Sequence, residues 1–294
     1  MNVAVYSRKI LKHEVPFFKS FFKQIEDLNW KPIIEHSFYQ QLKVQIGLKD
    51  GYSTFNSHID FLTGIDLAIS IGGDGTFLKC VSYVRSSGVP ILGINTGRLG
   101  FLADTNTSDF ERTLDRILKK EYSFQERSLI RVETEEHIFG EHNLALNELA
   151  VHKKDTASMI TVEAYLGGKY LNSYWADGLL VGTPTGSTAY SLSCGGPIIS
   201  PGCGVHFLTP IAAHNLNVRP VIVPDHIPIT LKAVGRDRNF LLTLDSLSKP
   251  VKNGTEITLY KSDFMINVIK FSENDFFKTI REKMLWGIDQ RNEL

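Results

Sequence analysis

A chain of 294 residues, 43% of them hydrophobic, is long enough for a substantial core and for two domains, since single cores rarely grow much past about 250 residues. Its 32 basic side chains balance 32 acidic ones, which excludes a general pull toward nucleic acid or an anionic membrane, so an anionic ligand must be held by local groups. Three widely spaced cysteines, Cys80, Cys194 and Cys203, exclude a disulfide framework and a structural zinc site.

The cysteines read as buried free thiols in a reducing compartment. The start of the chain shows no basic stretch followed by an apolar segment of signal-peptide type. No apolar run approaches the length of a membrane span. The expectation is a soluble cytoplasmic protein that binds neither membrane nor nucleic acid.

Strand and helix signals alternate over the first hundred residues. Residues 2–6 read as a short strand. Phe17, Phe18, Phe21, Phe22, Ile25 and Leu28 recur at helical spacing and predict a helix over 17–28. A second strand begins at 32–34. Residues 67–71 form a continuous apolar run that ends in Gly72-Gly73, as a fully buried strand does. A helix is expected over 76–84 and another buried strand over 89–95. This order predicts βαβ units and a parallel sheet. Ser108 and Glu111 make a capping-box pattern for a helix running to about residue 120.

The pattern changes near residue 125. Ile160, Val162, Ala164 and Leu166 alternate with Thr161, Glu163 and Tyr165, the period of a half-buried antiparallel strand. Gly167-Gly168 then predicts a hairpin whose second strand returns over 170–181. Asn253-Gly254 predicts another hairpin, between 250–251 and 257–260. Residues 274–290 look helical again. The boundaries expected are 1–124 for an α/β nucleotide-binding domain, with 271–294 packing back on it, and 125–270 for a β-rich domain.

Gly72-Gly73-Asp74-Gly75-Thr76 stands where the buried strand meets the helix. Ligands bind at such carboxyl ends of parallel strands. Glycines let backbone approach a ligand closely, and their N–H groups beside a helix start suit phosphate oxygens. A carboxylate in an anion-binding loop would repel phosphate, so Asp74 is better placed as a base beside an attacking hydroxyl. The plainer reading is a glycine turn with Asp as a cap. Neither a P-loop pattern nor a dinucleotide glycine fingerprint is present. The segment 177–197 is dense in glycine and small hydroxyl residues, which offer hydrogen bonds without bulk to a flat base or a ribose.

The loop at 72–76, Asn147-Glu148, Asp177-Gly178 and the run Thr183-Pro184-Thr185-Gly186-Ser187-Thr188-Ala189-Tyr190-Ser191 together resemble the ATP-NAD kinase family. The segment 93–102 is similar to that family's Gly-Asn-x-Gly-x-Leu-Gly-Phe-Leu stretch. The resemblance runs in matching order from about residue 67 to 225. It implies an α/β N-terminal domain with a parallel Rossmann-like sheet, followed by a β-rich C-terminal domain. It implies an enzyme that uses ATP and a divalent cation, Mg²⁺, to phosphorylate the 2′-hydroxyl of the adenosine ribose of NAD.

Carried over by position, Asp74 would be the general base, with Gly75 in the same pocket. Asn147 and Glu148 would bond ribose hydroxyls. Asp177 with Thr188, Ala189, Tyr190, Ser191, Leu192 and Ser193 would hold the adenine and nicotinamide parts of NAD. Gly72, Gly73, Gly75 and Thr76 would face the ATP phosphates. Lys79 is either a cation for those phosphates or a solvated helix lysine. No cluster of protein metal ligands is visible, which fits an ion held by phosphates and water.

Family likeness also implies a homodimer or homotetramer. Trp175-Ala176 departs from the family pattern before Asp177 and leaves the choice between NAD and NADH open. His214 reads as structural. Two rival readings are a lipid kinase, which would share the glycine loop but not the hydroxyl-rich segment 183–193, and an NAD sensor without catalysis, against which an intact Asp74 argues.

Overall fold

The structure, a computed structural model, describes residues 1–97, 100–154, 159–235, 238–272 and 275–284. Residues 98–99 of the 93–102 segment, and 274 and 285–290 of the expected last helix, lie outside the described residues. The chain divides into two compact units, Met1–Glu126 with Ile266–Leu294, and Arg127–Met265.

The first unit is built on an eight-stranded sheet. Its strands run in the order Ser53–Phe55, Lys31–Glu35, Asn2–Tyr6, Leu67–Ile71, Ile91–Asn95, Ile266–Lys270 and Ser123–Arg127, with Thr105–Asn106 also pairing Ile91–Asn95. The pairings of Asn2–Tyr6, Leu67–Ile71 and Ile91–Asn95 with their neighbours are parallel. Leu67–Ile71 is buried along its whole length, with Ser70 the one polar residue among four apolar ones.

The helix Val15–Asp27 begins with Pro16 in its first turn, where a missing N–H costs nothing. It lays Phe18, Phe21, Phe22 and Ile25 into the core against Val3, Val5, Leu67 and Ile69. Asn29, at φ 54°, takes the left-handed conformation just past its end. A helix not read from the sequence, His36–Ile46, starts where the Glu35 carboxylate accepts the Phe38 amide at 2.8 Å and stops at left-handed Gly47. The helix Asp74–Val84 starts two residues before the expected 76.

The capping box at Ser108 does not form. Residues Thr107–Asp109 make a 3-10 turn, and the helix Phe110–Leu118 starts after it without a side-chain cap. Ser108 is therefore inside the turn instead of ahead of it.

The second unit is a sandwich of two six-stranded antiparallel sheets. One runs Val221–Pro224, Val205–Ile211, Gly178–Gly182, Glu148–His152, Asn239–Leu244, Leu247–Lys252. The other runs Lys169–Ala176, Ile160–Leu166, Ile229–Val234, Glu256–Lys261, Ile130–Thr134, Leu144–Ala145. Leu149, Val151, Leu179 and Val181 of the first meet Val162, Ala164, Leu231 and Leu259 of the second in one core.

Several expectations are corrected here. Gly167-Gly168 does turn a hairpin, with both residues at positive φ, but the returning run is two strands. Lys169–Ala176 stays in the second sheet and Gly178–Gly182 enters the first, so Asp177 stands at the corner between them. Asn253-Gly254 joins Leu247–Lys252 of one sheet to Glu256–Lys261 of the other and is no hairpin. The hairpin is one turn earlier, at Asp245-Ser246, where Leu244 pairs Leu247.

Ile266–Lys270, expected in the β-rich domain, pairs parallel with Ile91–Asn95. Of the cysteines, Cys80 alone is buried, and its thiol is pushed up to about 12 by that burial; Cys194 is half-buried and Cys203 exposed. Among the described residues no helix is long and apolar enough to cross a membrane.

Candidate functional site

In the parallel sheet, Leu67–Ile71 lies between Asn2–Tyr6 and Ile91–Asn95. The connection after Tyr6 leads to Lys31–Glu35 on one side, and the connection after Ile71 leads to Ile91–Asn95 on the other. Loops that part in this way open a crevice at the carboxyl ends of the strands. The loop 72–76 occupies that place.

Gly72 has φ 147°, and a Cβ there would lie 2.5 Å from Thr76 Oγ1, so only glycine fits. Thr76 is thereby buried beneath the loop. A Cβ at Gly73 or Gly75 would meet no atom within 4 Å, which marks the open side. The helix begins at Asp74, so the Asp74 and Gly75 amides are among those a helix start leaves without an internal partner.

Asp74 is fixed by the loop that follows Ile91–Asn95. Its Oδ2 accepts the Phe101 amide at 2.9 Å. Its Oδ1 accepts the amides of Leu102 at 3.1 Å and Ala103 at 3.2 Å. Three successive N–H groups set the plane of the carboxylate, and about a third of the side chain is exposed. A Cβ at Gly100 would sit 2.0 Å from Asp74 Oδ1, so the carboxylate can lie there only because residue 100 is glycine. Lys79 is not brought to the loop. Its ammonium lies 4.9 Å from the Tyr83 ring centroid, one turn further along the helix.

In the second unit Asn147 and Glu148 open the central strand Glu148–His152. Both of their amides donate to Asp245 Oδ1, at 2.9 and 3.1 Å, and the Leu146 amide donates to Asp245 Oδ2 at 2.8 Å. The Asn147 carbonyl accepts the Thr183 amide at 2.9 Å. Glu148 is buried, and among the described residues its Oε2 has no hydrogen-bond partner. Burial, and then the nearby Asp245 charge, push its carboxyl up to about 8. A buried carboxyl with an oxygen that no protein group bonds marks Glu148 as a candidate site residue.

Leu149 and Val151 point into the sandwich core, so Glu148, Ala150 and His152 share the opposite face. The segment 184–200 covers that face: Ile199 packs there with Ala150, Leu180 and Phe207, and Cys194 packs against this group. Tyr190 is exposed, and its ring stacks on His152 with centroids 5.8 Å apart. Burial raises the Tyr190 hydroxyl, helped by charges on Cys194, Asp177 and Glu148.

Antiparallel pairing sets Glu148 opposite Gly182 and His152 opposite Gly178. Asp177 stands just past Gly178, at the corner between the sheets, about 17 Å from Glu148 along the strands. There it pairs with Lys153 at 2.6 Å. Glu148 and His152 thus share one face, Asp177 stands beyond its end, and the charges of Asp177 and Glu148 both reach the Tyr190 hydroxyl.

Within 188–193, Thr188, Ala189 and Leu192 are half-buried and Ser193 is exposed. Ser191 is the exception. It is fully buried, with its hydroxyl bonded to Thr209 Oγ1 at 2.9 Å. Ser187 is likewise used inside the fold, accepting the Ile199 amide at 3.0 Å. Trp175 is exposed, and its ring lies 5.6 Å from that of His214, which is exposed as well and so is no core histidine.

Sequence models of the ATP-NAD kinase N-terminal and C-terminal domains match residues 3–122 and 146–271. The chain belongs to the ATP-NAD kinase family. It is 45% identical over 294 residues to an NAD kinase of Flavobacterium psychrophilum, covering 99% of this chain and 100% of that one. It is 40% identical over 291 residues, with the same shares covered, to an NAD kinase of Bacteroides fragilis.

Two solved structures are also similar. An NAD kinase from Archaeoglobus fulgidus in complex with ATP matches with TM-score 0.75 and 27% identity, over 96% of this chain and 99% of that chain. A yeast NADH kinase complexed with NADH shares the fold, with TM-score 0.86 at 22% identity over 98% of this chain and 89% of that chain.

Asp245 was not singled out in the sequence, and Gly100 only as part of the segment 93–102. Asp245 lies about a hundred residues from the amides it holds. Its one sequence signal is an Asp in a two-residue turn, which many hairpins show.

Proposed function

We propose that this chain transfers the terminal phosphoryl group of ATP to the 2′-hydroxyl of the adenosine ribose of NAD, producing NADP. The observation that carries the proposal is Asp74. A loop built only to bind anions has no use for a carboxylate at its helix start, whereas here three amides aim one there. In the reaction the 2′-oxygen attacks the γ-phosphorus, the bond to the β-phosphate oxygen breaks, and ADP leaves. The hydroxyl proton goes to Asp74.

The glycine loop, with Gly72, Gly73, Gly75 and Thr76, takes the phosphates in this reading. Asn147 and Glu148 bond ribose hydroxyls, and Asp177 with residues 188–193 takes the rest of NAD. The unit 1–126 with 266–294 is then the nucleotide-binding domain and 127–265 the NAD-binding domain. Ser191 contributes through packing, since its hydroxyl is already bonded to Thr209.

Among the described residues no three His, Cys, Asp or Glu side chains could hold a metal ion. In this reading Mg²⁺ arrives as MgATP, carried by phosphates and water. Mg²⁺ would offset the charge that spreads over the transferring group. The chain works as a homodimer or homotetramer in the cytoplasm.

The test is incubation of the purified protein with MgATP and NAD, reading NADP with an NADP-specific dehydrogenase. Sustained NADP formation is expected, and its absence overturns the proposal. Running NADH beside NAD⁺ settles the redox preference that Trp175 leaves open.

A further inference from the structure

A triphosphate brings several negative charges to a loop, 72–76, whose sequence contains no cation. Lys79, the nearest lysine in sequence, lies over Tyr83. The structure brings a different ammonium to the loop. Lys283, on the helix Phe276–Met284, has its Nζ 3.7 Å from Asp74 Oδ2.

Its position is built. The ammonium lies 4.3 Å from the centroid of the Phe101 ring, and the amide of the same Phe101 donates to Asp74 Oδ2. The Phe101 ring in turn lies 6.3 Å from that of Phe276, on Lys283's own helix. One aromatic residue thus orients the carboxylate through its backbone and seats the lysine on its face. Each partner of the ion pair is about a third exposed. A pair so exposed adds little to stability, and stability does not account for the arrangement.

We propose that Lys283 is a phosphate-binding residue. When MgATP enters, its ammonium exchanges Asp74 Oδ2 for an oxygen of the transferring phosphoryl group. That supplies the cation the glycine loop lacks and leaves Oδ2 with the Phe101 amide on one lone pair and the other open to the hydroxyl proton. In the absence of nucleotide, Asp74 and Phe101 hold the lysine in waiting. This inference rests on the reaction proposed above.

The experiment compares the parent with Lys283→Met and Lys283→Arg, measuring kcat and the KM values for ATP and NAD separately. Losing a charge-assisted phosphate contact is expected to lower kcat/KM for ATP by about 10–100-fold. The KM for NAD should stay within about twofold, and Lys283→Arg should recover most of the loss. Melting temperature is read alongside, and Lys283→Gln replaces the Met variant if that one fails to fold.

Parental ATP kinetics in Lys283→Met overturn the proposal. So does a loss shared equally by ATP and NAD that arginine does not restore. If the parent forms no NADP, the reaction reading fails instead. Calorimetry with Mg²⁺ and a non-hydrolysable ATP analogue then still tests Lys283, and equal affinity in parent and Lys283→Met overturns its role.

Discussion

Replacing Asp74 with asparagine separates a base from a turn residue. The carboxylate accepts three amides, two on Oδ1 and one on Oδ2. Asparagine has one carbonyl oxygen. If that oxygen keeps Leu102 and Ala103, its NH₂ faces the Phe101 N–H, donor against donor. One hydrogen bond is lost at a site about a third open to water, which places the cost near the low end of the usual range, about 1 kcal/mol. For a chain of this size that is a fall in Tm of about 2–4 °C.

The chemical consequence is larger. Removing a positioned general base costs about 10²–10⁴ in rate, equivalent to about 2.7–5.4 kcal/mol of barrier. The two effects therefore differ in size and can be read independently: Tm by calorimetry, turnover by NADP formation well below Tm, and NAD affinity by titration. The expected outcome is a variant that folds, binds NAD within a few-fold of the parent, and turns over at least about 100-fold more slowly. Retention of more than about a tenth of parental turnover would refute the assignment of Asp74 as base. Rescue of most of the rate by excess Mg²⁺ would assign it to metal binding instead.

Glu148→Gln has a pH signature. The Glu148 carboxyl, pushed up to about 8 by burial, is largely neutral at pH 7, where glutamine imitates it. The ratio of NAD KM values, variant over parent, should be near one below pH 7 and grow as pH rises through 8; a pH-independent ratio refutes this. The folded value lies above the unfolded one, so Glu148's contribution to stability is full below the usual carboxylate range and is lost as pH rises toward about 8. Urea unfolding of parent and variant across that window checks the sign.

Asp245→Asn leaves the Leu146 amide facing an NH₂, so NAD KM should rise several-fold while ATP KM does not change. It also removes a charge that raises Glu148, so the pH midpoint of NAD binding should move down; an upward shift contradicts the coupling. Chelation of divalent ions should abolish NADP formation and added Mg²⁺ restore it, whereas full activity in excess chelator excludes MgATP as the substrate form.

Elements set by hydrophobic period were legible in the sequence. The run at 67–71 and the phenylalanines of 17–28 describe their own burial, because the apolar pattern is the cause of the packing. Connections were less legible. Asn253-Gly254 has hairpin chemistry, and Gly254 does take positive φ, but the same turn carries the chain from one sheet to the other. Nothing local distinguishes the two uses, since the partner strand decides. The run 170–181 hid its corner for a similar reason: Asp177-Gly178 breaks the apolar pattern there, but nothing local says that the strand beyond it joins the other sheet.

At the candidate site, the glycine loop could be read from composition. Asn147 and Glu148 could be read only from their place in a family order. Asp245 and Lys283 could not be read at all, because their partners are brought to them by the fold. Hydroxyl-rich composition was ambiguous, as Ser187 and Ser191 show by spending their hydroxyls on the protein itself.

The position of Ile266–Lys270 between Ile91–Asn95 and Ser123–Arg127 has a consequence during synthesis. The first unit is discontinuous and the second is one unbroken stretch. As the ribosome releases the chain, residues 1–126 emerge with a slot in their sheet. The strand that fills it follows roughly 140 residues later, about 7–28 s at ordinary elongation rates. Through that interval the edges of Ile91–Asn95 and Ser123–Arg127 lack their shared neighbour, and unpaired edges of this kind recruit other chains. The β sandwich meets no such delay and can close first. Vectorial synthesis thus inverts the usual order, with the earlier-made unit the later to mature. The same segment that closes the slot brings Lys283 to Asp74, so the loop 72–76 gains its ion-pair partner only when the sheet beneath it is complete.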